Sequence, residues 1–86
     1  IGEGTIVMHD ALINSCAKIG QNCIINSKVL VEHECNIQNN CHIAVGAVLA
    51  GEVEIGEETF VGANSTIIQC VKIPPKTFVK AGSLVK

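Results

Sequence analysis

The sequence predicts an all-β protein, a parallel β-helix of about five 18-residue coils, each coil made of three hexapeptides bent into a triangle. Three observations predict it. Every sixth residue from Ile1 to Val85 is aliphatic, fifteen positions in all, although only 26 of the 86 residues are Ile, Leu or Val. Four residues after each of these, from Thr5 to Ser83, no side chain is larger than valine. Ile1-Gly2, Ile19-Gly20 and Ile55-Gly56 then recur 18 or 36 residues apart, with Ile37-Gln38 and Ile73-Pro74 in the same register. A period of six fits neither the 3.6 of a helix nor the alternation of a flat strand. A short strand followed by a corner, repeated without insertion, accounts for it.

Each position of the hexapeptide follows from that geometry. The aliphatic residue points inward from its strand, and the small residue fills the crowded inner side of the corner. The residue just before the small one takes the bend. In order these corner residues are Gly4, Asp10, Cys16, Asn22, Lys28, Glu34, Asn40, Gly46, Glu52, Glu58, Asn64, Cys70, Lys76 and Gly82. Half are Gly, Asn or Asp, the types that tolerate left-handed backbone angles. Coils stack through parallel ladders about 4.8 Å apart, so residues 18 apart are neighbours.

Composition narrows the function. One domain is the most that 86 residues can make, and so short a chain buries enough surface only within something larger, so an oligomer is expected. The net charge is −2, there is no Arg, and the six lysines are scattered, which argues against a nucleic-acid partner. No run approaches the roughly 18 to 20 apolar residues of a membrane span, and no leader of the secretory kind opens the chain. A cytoplasmic protein is expected. Five cysteines without CxxC spacing argue against a disulfide framework or structural zinc.

The repeat also decides which side chains can do chemistry. Cys23, Cys35 and Cys41 occupy the interior corner position and read as small buried thiols, so Cys35 is a poor nucleophile despite its neighbour Glu34. His9, His33 and His42 lie on different faces of the prism, 24 and 9 residues apart, and no metal site is expected. His33 faces outward at the start of a corner, between Glu32 and Glu34. On pattern alone it is either a solvated histidine among acids or a base whose tautomer a carboxylate holds.

The stretches Ile25 to Ile37 and Cys41 to Gly51 resemble the C-terminal domain of the hexapeptide-repeat sugar O- and N-acetyltransferases, the sialic acid O-acetyltransferase-like enzymes. Asn26, six residues, His33-Glu34, and then His42-Ile43 with Gly46 carry the likeness, which runs on through Val61-Gly62-Ala63-Asn64 to Ala81-Gly82-Ser83-Leu84-Val85. That resemblance implies a left-handed β-helix, an acetyl-CoA co-substrate and a homotrimer with its sites between subunits. It implies that His33 is the general base, that Glu34 orients it, and that Asn26 lies beside the sugar acceptor. His42 would help bind donor or acceptor from a neighbouring subunit. Gly51, one coil above His33, would offer its backbone N–H to the thioester oxygen. Acetyl-CoA would run past Gly62, Ala63, Ala81 and Gly82, with Lys72, Lys76 or Lys80 meeting its phosphates. Residues 1–86 are then expected to be the β-helix domain alone, without the N-terminal α/β domain that members usually carry.

Two other readings share the fold. A non-catalytic scaffold or trimerisation module needs only the repeat, and a serine acetyltransferase shares the donor with a different acceptor loop. Ice binding needs ranks of outward threonine, whereas Thr5, Thr59 and Thr77 fall inside.

Overall fold

The computed structural model describes residues 1–86 as fourteen two-residue strands and no helix. The strands stack as the three sides of a prism. Sheet A holds β1 (Ile6–Val7), β4 (Ile24–Ile25), β7 (His42–Ile43), β10 (Phe60–Val61) and β13 (Phe78–Val79). Sheet B holds β2 (Leu12–Ile13), β5 (Leu30–Val31), β8 (Val48–Leu49), β11 (Thr66–Ile67) and β14 (Leu84–Val85). Sheet C holds β3 (Lys18–Ile19), β6 (Asn36–Ile37), β9 (Glu54–Ile55) and β12 (Lys72–Ile73). Every pairing is parallel, with partners 18 residues apart, as in Leu30 beside Val48.

The corners carry the sequence's bend residues without exception. All fourteen have positive φ, from 55° at Asn22 to 76° at Gly4. Eleven of them are not glycine, and each places a Cβ in the left-handed region at a cost of order 1 kcal/mol. The ladder bonds on either side hold them there: the Glu34 amide donates to Ser15 O at 3.1 Å and the Glu52 amide to His33 O at 3.0 Å.

Inside, the aliphatic positions from Ile19 to Val79 are all buried and form one continuous core with Cys23, Val29, Cys35, Cys41, Ala47 and Val53. The interior assignment fails only at the ends, where no further coil covers the stack: Ile1 is 73% and Val7 39% exposed.

The outer faces differ. Sheet A presents Ile6, Ile24, His42, Phe60 and Phe78, and sheet B presents Leu12, Leu30, Val48, Thr66 and Leu84. Sheet C presents Lys18, Asn36, Glu54 and Lys72. Two sides of the prism are therefore apolar and one is charged.

Candidate active site

Leaving β5 on sheet B, the chain turns through His33 and Glu34 into β6 on sheet C. The 18-residue register stacks Ser15-Cys16, His33-Glu34, Gly51-Glu52 and Gln69-Cys70 along this one edge, and the Cys70 amide donates to Gly51 O at 3.0 Å. Both site side chains are about half exposed, His33 at 51% and Glu34 at 57%, and His33 Nδ1 lies 3.3 Å from Glu34 Oε1. So exposed a pair contributes at most about 1 kcal/mol to stability; its use is orientation. With the proton on Nδ1, Glu34 accepts and Nε2 keeps a free lone pair.

Gly51 has to be glycine for the imidazole to lie where it does. A Cβ there would stand 2.6 Å from His33 Nε2 and 2.9 Å from Cε1. The ring thus packs flat on bare backbone. The Gly51 N–H donates to no other group of the chain, so it remains available to a ligand beside Nε2.

Glu52, one coil above Glu34, completes the cluster. One ligand atom each from His33, Glu34 and Glu52 lie within 4.8 Å of one another. Cys70 Sγ in turn donates to Glu52 Oε1 at 3.4 Å. That hydrogen bond, with some desolvation and the Glu52 charge, pushes the Cys70 thiol above its ordinary pKa. The sequence reading passed over Glu52, although its position 18 residues beyond Glu34 was the available signal. A cavity of about 390 Å3, lined by Cys16, Lys18, Glu34, Cys35, Asn36 and Glu54, opens beside this edge on sheet C.

The remaining expected site residues lie elsewhere on the prism. Asn26 Nδ2 is 3.3 Å from His42 Nε2 at sheet A. His42 also meets Phe60 edge-on with centroids 5.1 Å apart, and Phe60 stacks on Phe78 at 5.2 Å. Gly62, Ala63, Ala81 and Gly82 belong to sheet A and its corner with sheet B. Of the three lysines named for phosphate contact, Lys80 alone shares this edge, 18 residues beyond Gly62; Lys72 is on sheet C and Lys76 on the corner from C to A. Gly62 has a packing reason of its own, because a Cβ would sit 2.4 Å from Ala81 N. One chain therefore keeps His33, Glu34 and Gly51 on one edge, and Asn26, His42 and the glycine-alanine positions on another.

The buried thiols are not a reactive centre. Cys23, Cys35 and Cys41 each direct Sγ to a carbonyl fifteen residues on, at 3.1 Å in every case: Gln38, Ala50 and Gly56. Burial first of all pushes Cys35 and Cys41 above the ordinary thiol pKa of 9.0, which keeps them protonated.

Residues 34–69 match the family model described as bacterial transferase hexapeptide (six repeats). The chain is a hexapeptide-repeat protein. Among solved structures, this hexapeptide-repeat chain is similar to the acetyltransferase domain of PglB from Neisseria gonorrhoeae FA1090, with 30% identity and a TM-score of 0.94 over 95% of its length. It spans 40% of that chain. It also resembles a hexapeptide transferase family protein from Anaplasma phagocytophilum, at 13% identity and TM-score 0.56 over 95% of this chain and 58% of that one. A third likeness is LpxA from Acinetobacter baumannii, at 20% identity and TM-score 0.54, covering all of this chain and 55% of the other. These last two carry the fold alone. No match was found among curated protein sequences.

Proposed function

We propose that the chain is the β-helix domain of an acetyl-CoA-dependent acetyltransferase acting on an amine or hydroxyl of a sugar or nucleotide-sugar. The observation that carries this reading is the His33 ring lying on Gly51, with Nδ1 turned to Glu34 and an unused backbone N–H beside Nε2. A base and an oxyanion donor set side by side are what attack on a thioester requires. The repeat family and the 30% identity to the PglB acetyltransferase domain support acyl transfer as the reaction class.

In this mechanism Nε2 takes the proton of the acceptor N–H or O–H as the nitrogen or oxygen bonds to the thioester carbon. Charge on the carbonyl oxygen meets the Gly51 N–H. The carbon–sulfur bond then breaks, and the leaving thiolate takes the proton from the His33 imidazolium. No serine or cysteine adjoins the ring to form a covalent intermediate. The cavity beside Glu34 offers Asn36, Glu54 and Lys18 to a hydroxyl-rich acceptor.

The separation of the two candidate edges supports a shared site. The cofactor positions on sheet A of one prism would face His33 of the next, which a ring of three achieves by packing sheet A of each chain on sheet B of its neighbour. A homotrimer uses two dissimilar faces per chain, and the two apolar faces fit that need. The enzyme is placed in the cytoplasm, where acetyl-CoA is available and thiols stay reduced. The N-terminal domain expected for the family would refine acceptor choice.

The deciding experiment is acetyl-CoA turnover with a panel of amino sugars, wild type against His33→Ala. Loss of the base lowers the rate by about 10² to 10⁴. Equal rates would remove His33 from the mechanism, and failure of both proteins to bind acetyl-CoA would favour a scaffold.

A further inference from the structure

We infer that His33, Glu34 and Glu52 form a divalent-cation site of the zinc type, and that a cation bound there withdraws His33 from proton transfer. Its regulatory half rests on the reading of His33 as the base; the site itself does not.

Three donors of two chemical kinds meet at one corner. An imidazole nitrogen and two carboxylate oxygens lie within 4.8 Å of one another. Zinc bonds of about 2.0 to 2.2 Å bring ligand atoms to roughly 3.4 Å apart in a tetrahedron, so a small side-chain rotation closes the cage. The side chains are free to make it, because all three are exposed. Their backbones are not free: the ladder bonds from Glu34 N to Ser15 O and from Glu52 N to His33 O fix the coil spacing between them.

Charge points the same way. No lysine forms an ion pair with either carboxylate, and the one ion pair in the chain is His33 with Glu34. Two carboxylates thus face a single imidazole, an arrangement that a dication relieves. The nitrogen ligand favours zinc or a later transition ion over magnesium and calcium, which take oxygen. Three protein ligands leave a fourth position for water. Cys70, whose thiol bonds to Glu52, supplies the outer partner that ligating carboxylates commonly have.

The consequence is competition within one residue. A lone pair given to a metal is not available to an acceptor proton. Zinc would hold the transferase idle until a chelator, or a substrate that takes the metal, releases His33.

The experiment titrates Zn²⁺ calorimetrically into metal-free full chain, with neither acetyl-CoA nor acceptor present. One zinc per chain is expected, bound about 10- to 100-fold more weakly by Glu52→Gln and by His33→Ala, with circular dichroism establishing that both variants fold. In the assay, zinc at the binding concentration slows acetyl transfer by wild type and a chelator restores it. Equal affinity in all three proteins, or no binding by folded wild type, overturns the site. So does zinc lost in Cys16→Ser or Cys70→Ser but kept in Glu52→Gln, which would place the metal on the thiols. Zinc binding that follows the expected variant pattern while the metal-free His33→Ala turns over normally would leave the site standing and remove only the base.

Discussion

At the scale of single residues, the site depends on what is missing from Gly51. A methyl group there would press on His33 Nε2 and Cε1, the far end of an exposed side chain, rather than on backbone. Gly51→Ala is therefore expected to keep the melting temperature within a few degrees while lowering turnover by about 10² or more, since it displaces the base and crowds the oxyanion donor together. Unfolding scans and acetyl-CoA kinetics on the same preparation separate the two effects. Cys70 offers a second readout of the same corner. Its thiol is raised by the Glu52 hydrogen bond, so the thiolate appears only at higher pH than usual. In Glu52→Gln the main cause is gone, and the pH at which iodoacetamide labels Cys70 at half its maximal rate moves down. An unchanged labelling profile would mean that Glu52 does not hold the thiol.

The contact of His33 with Gly51 was legible in the sequence because it is a difference of 18. Glu52 follows from the same arithmetic and went unseen, because the search for a partner stopped at the histidine's chain neighbours. Asn26 and His42 escaped for another reason. They stand 16 apart and meet diagonally across neighbouring coils, which a count in steps of 18 does not reach. The cysteines were read as small apolar fillers, yet their sulfurs donate to the carbonyl fifteen residues on, the same bond that Thr5 makes to Gly20 and Ser65 to Lys80. A thiol and a hydroxyl look unlike in sequence and do one job in this corner.

At the scale of the structural element, the three corners are not equally easy to turn. The edge from sheet C to sheet A has Gly4, Asn22 and Asn40, and the edge from A to B has Asp10, Gly46, Asn64 and Gly82. The edge bearing His33 has Cys16, Glu34, Glu52 and Cys70, with φ from 59° to 66° and not one residue of the types that accept it readily. Strain of this kind collects at functional positions, where side chains are chosen for chemistry. Cys16→Asn is accordingly expected to raise stability by about 0.5 to 1 kcal/mol, read from urea denaturation midpoints. The same substitution has no such benefit at Asn40, which already is asparagine.

At the scale of the whole molecule, the period told the inside from the outside along all but the first and last turns. Sequence carries no mark for where a stack ends, so Ile1 and Val7 obey the pattern while standing in solvent. What the outer faces meet is likewise a property of the assembly. Ile24 on sheet A and Leu84 on sheet B are 36% and 58% exposed. Sedimentation is expected to find three chains together, and Ile24→Glu to return them to single prisms. Acetyl transfer would fall with the trimer, since the His42 edge and the His33 edge belong to different subunits in the proposed site. Stable, fully active monomers would sink both ideas.

The exact 18-residue register of the ladders makes the prism a ruler graduated at each coil. In such a stack each layer touches only the layers beside it, and stability is close to a sum of adjacent terms. Whole coils can then be removed or inserted as units, provided a cut falls at the same point of the hexapeptide. The proposed chemistry sits on a single graduation, the step from His33 to Gly51 and Glu52. Adding an 18-residue turn beyond Val79 would lengthen the molecule and leave that step alone, whereas adding one between Asn36 and Ala50 would part the base from its amide without disturbing a single strand pairing elsewhere.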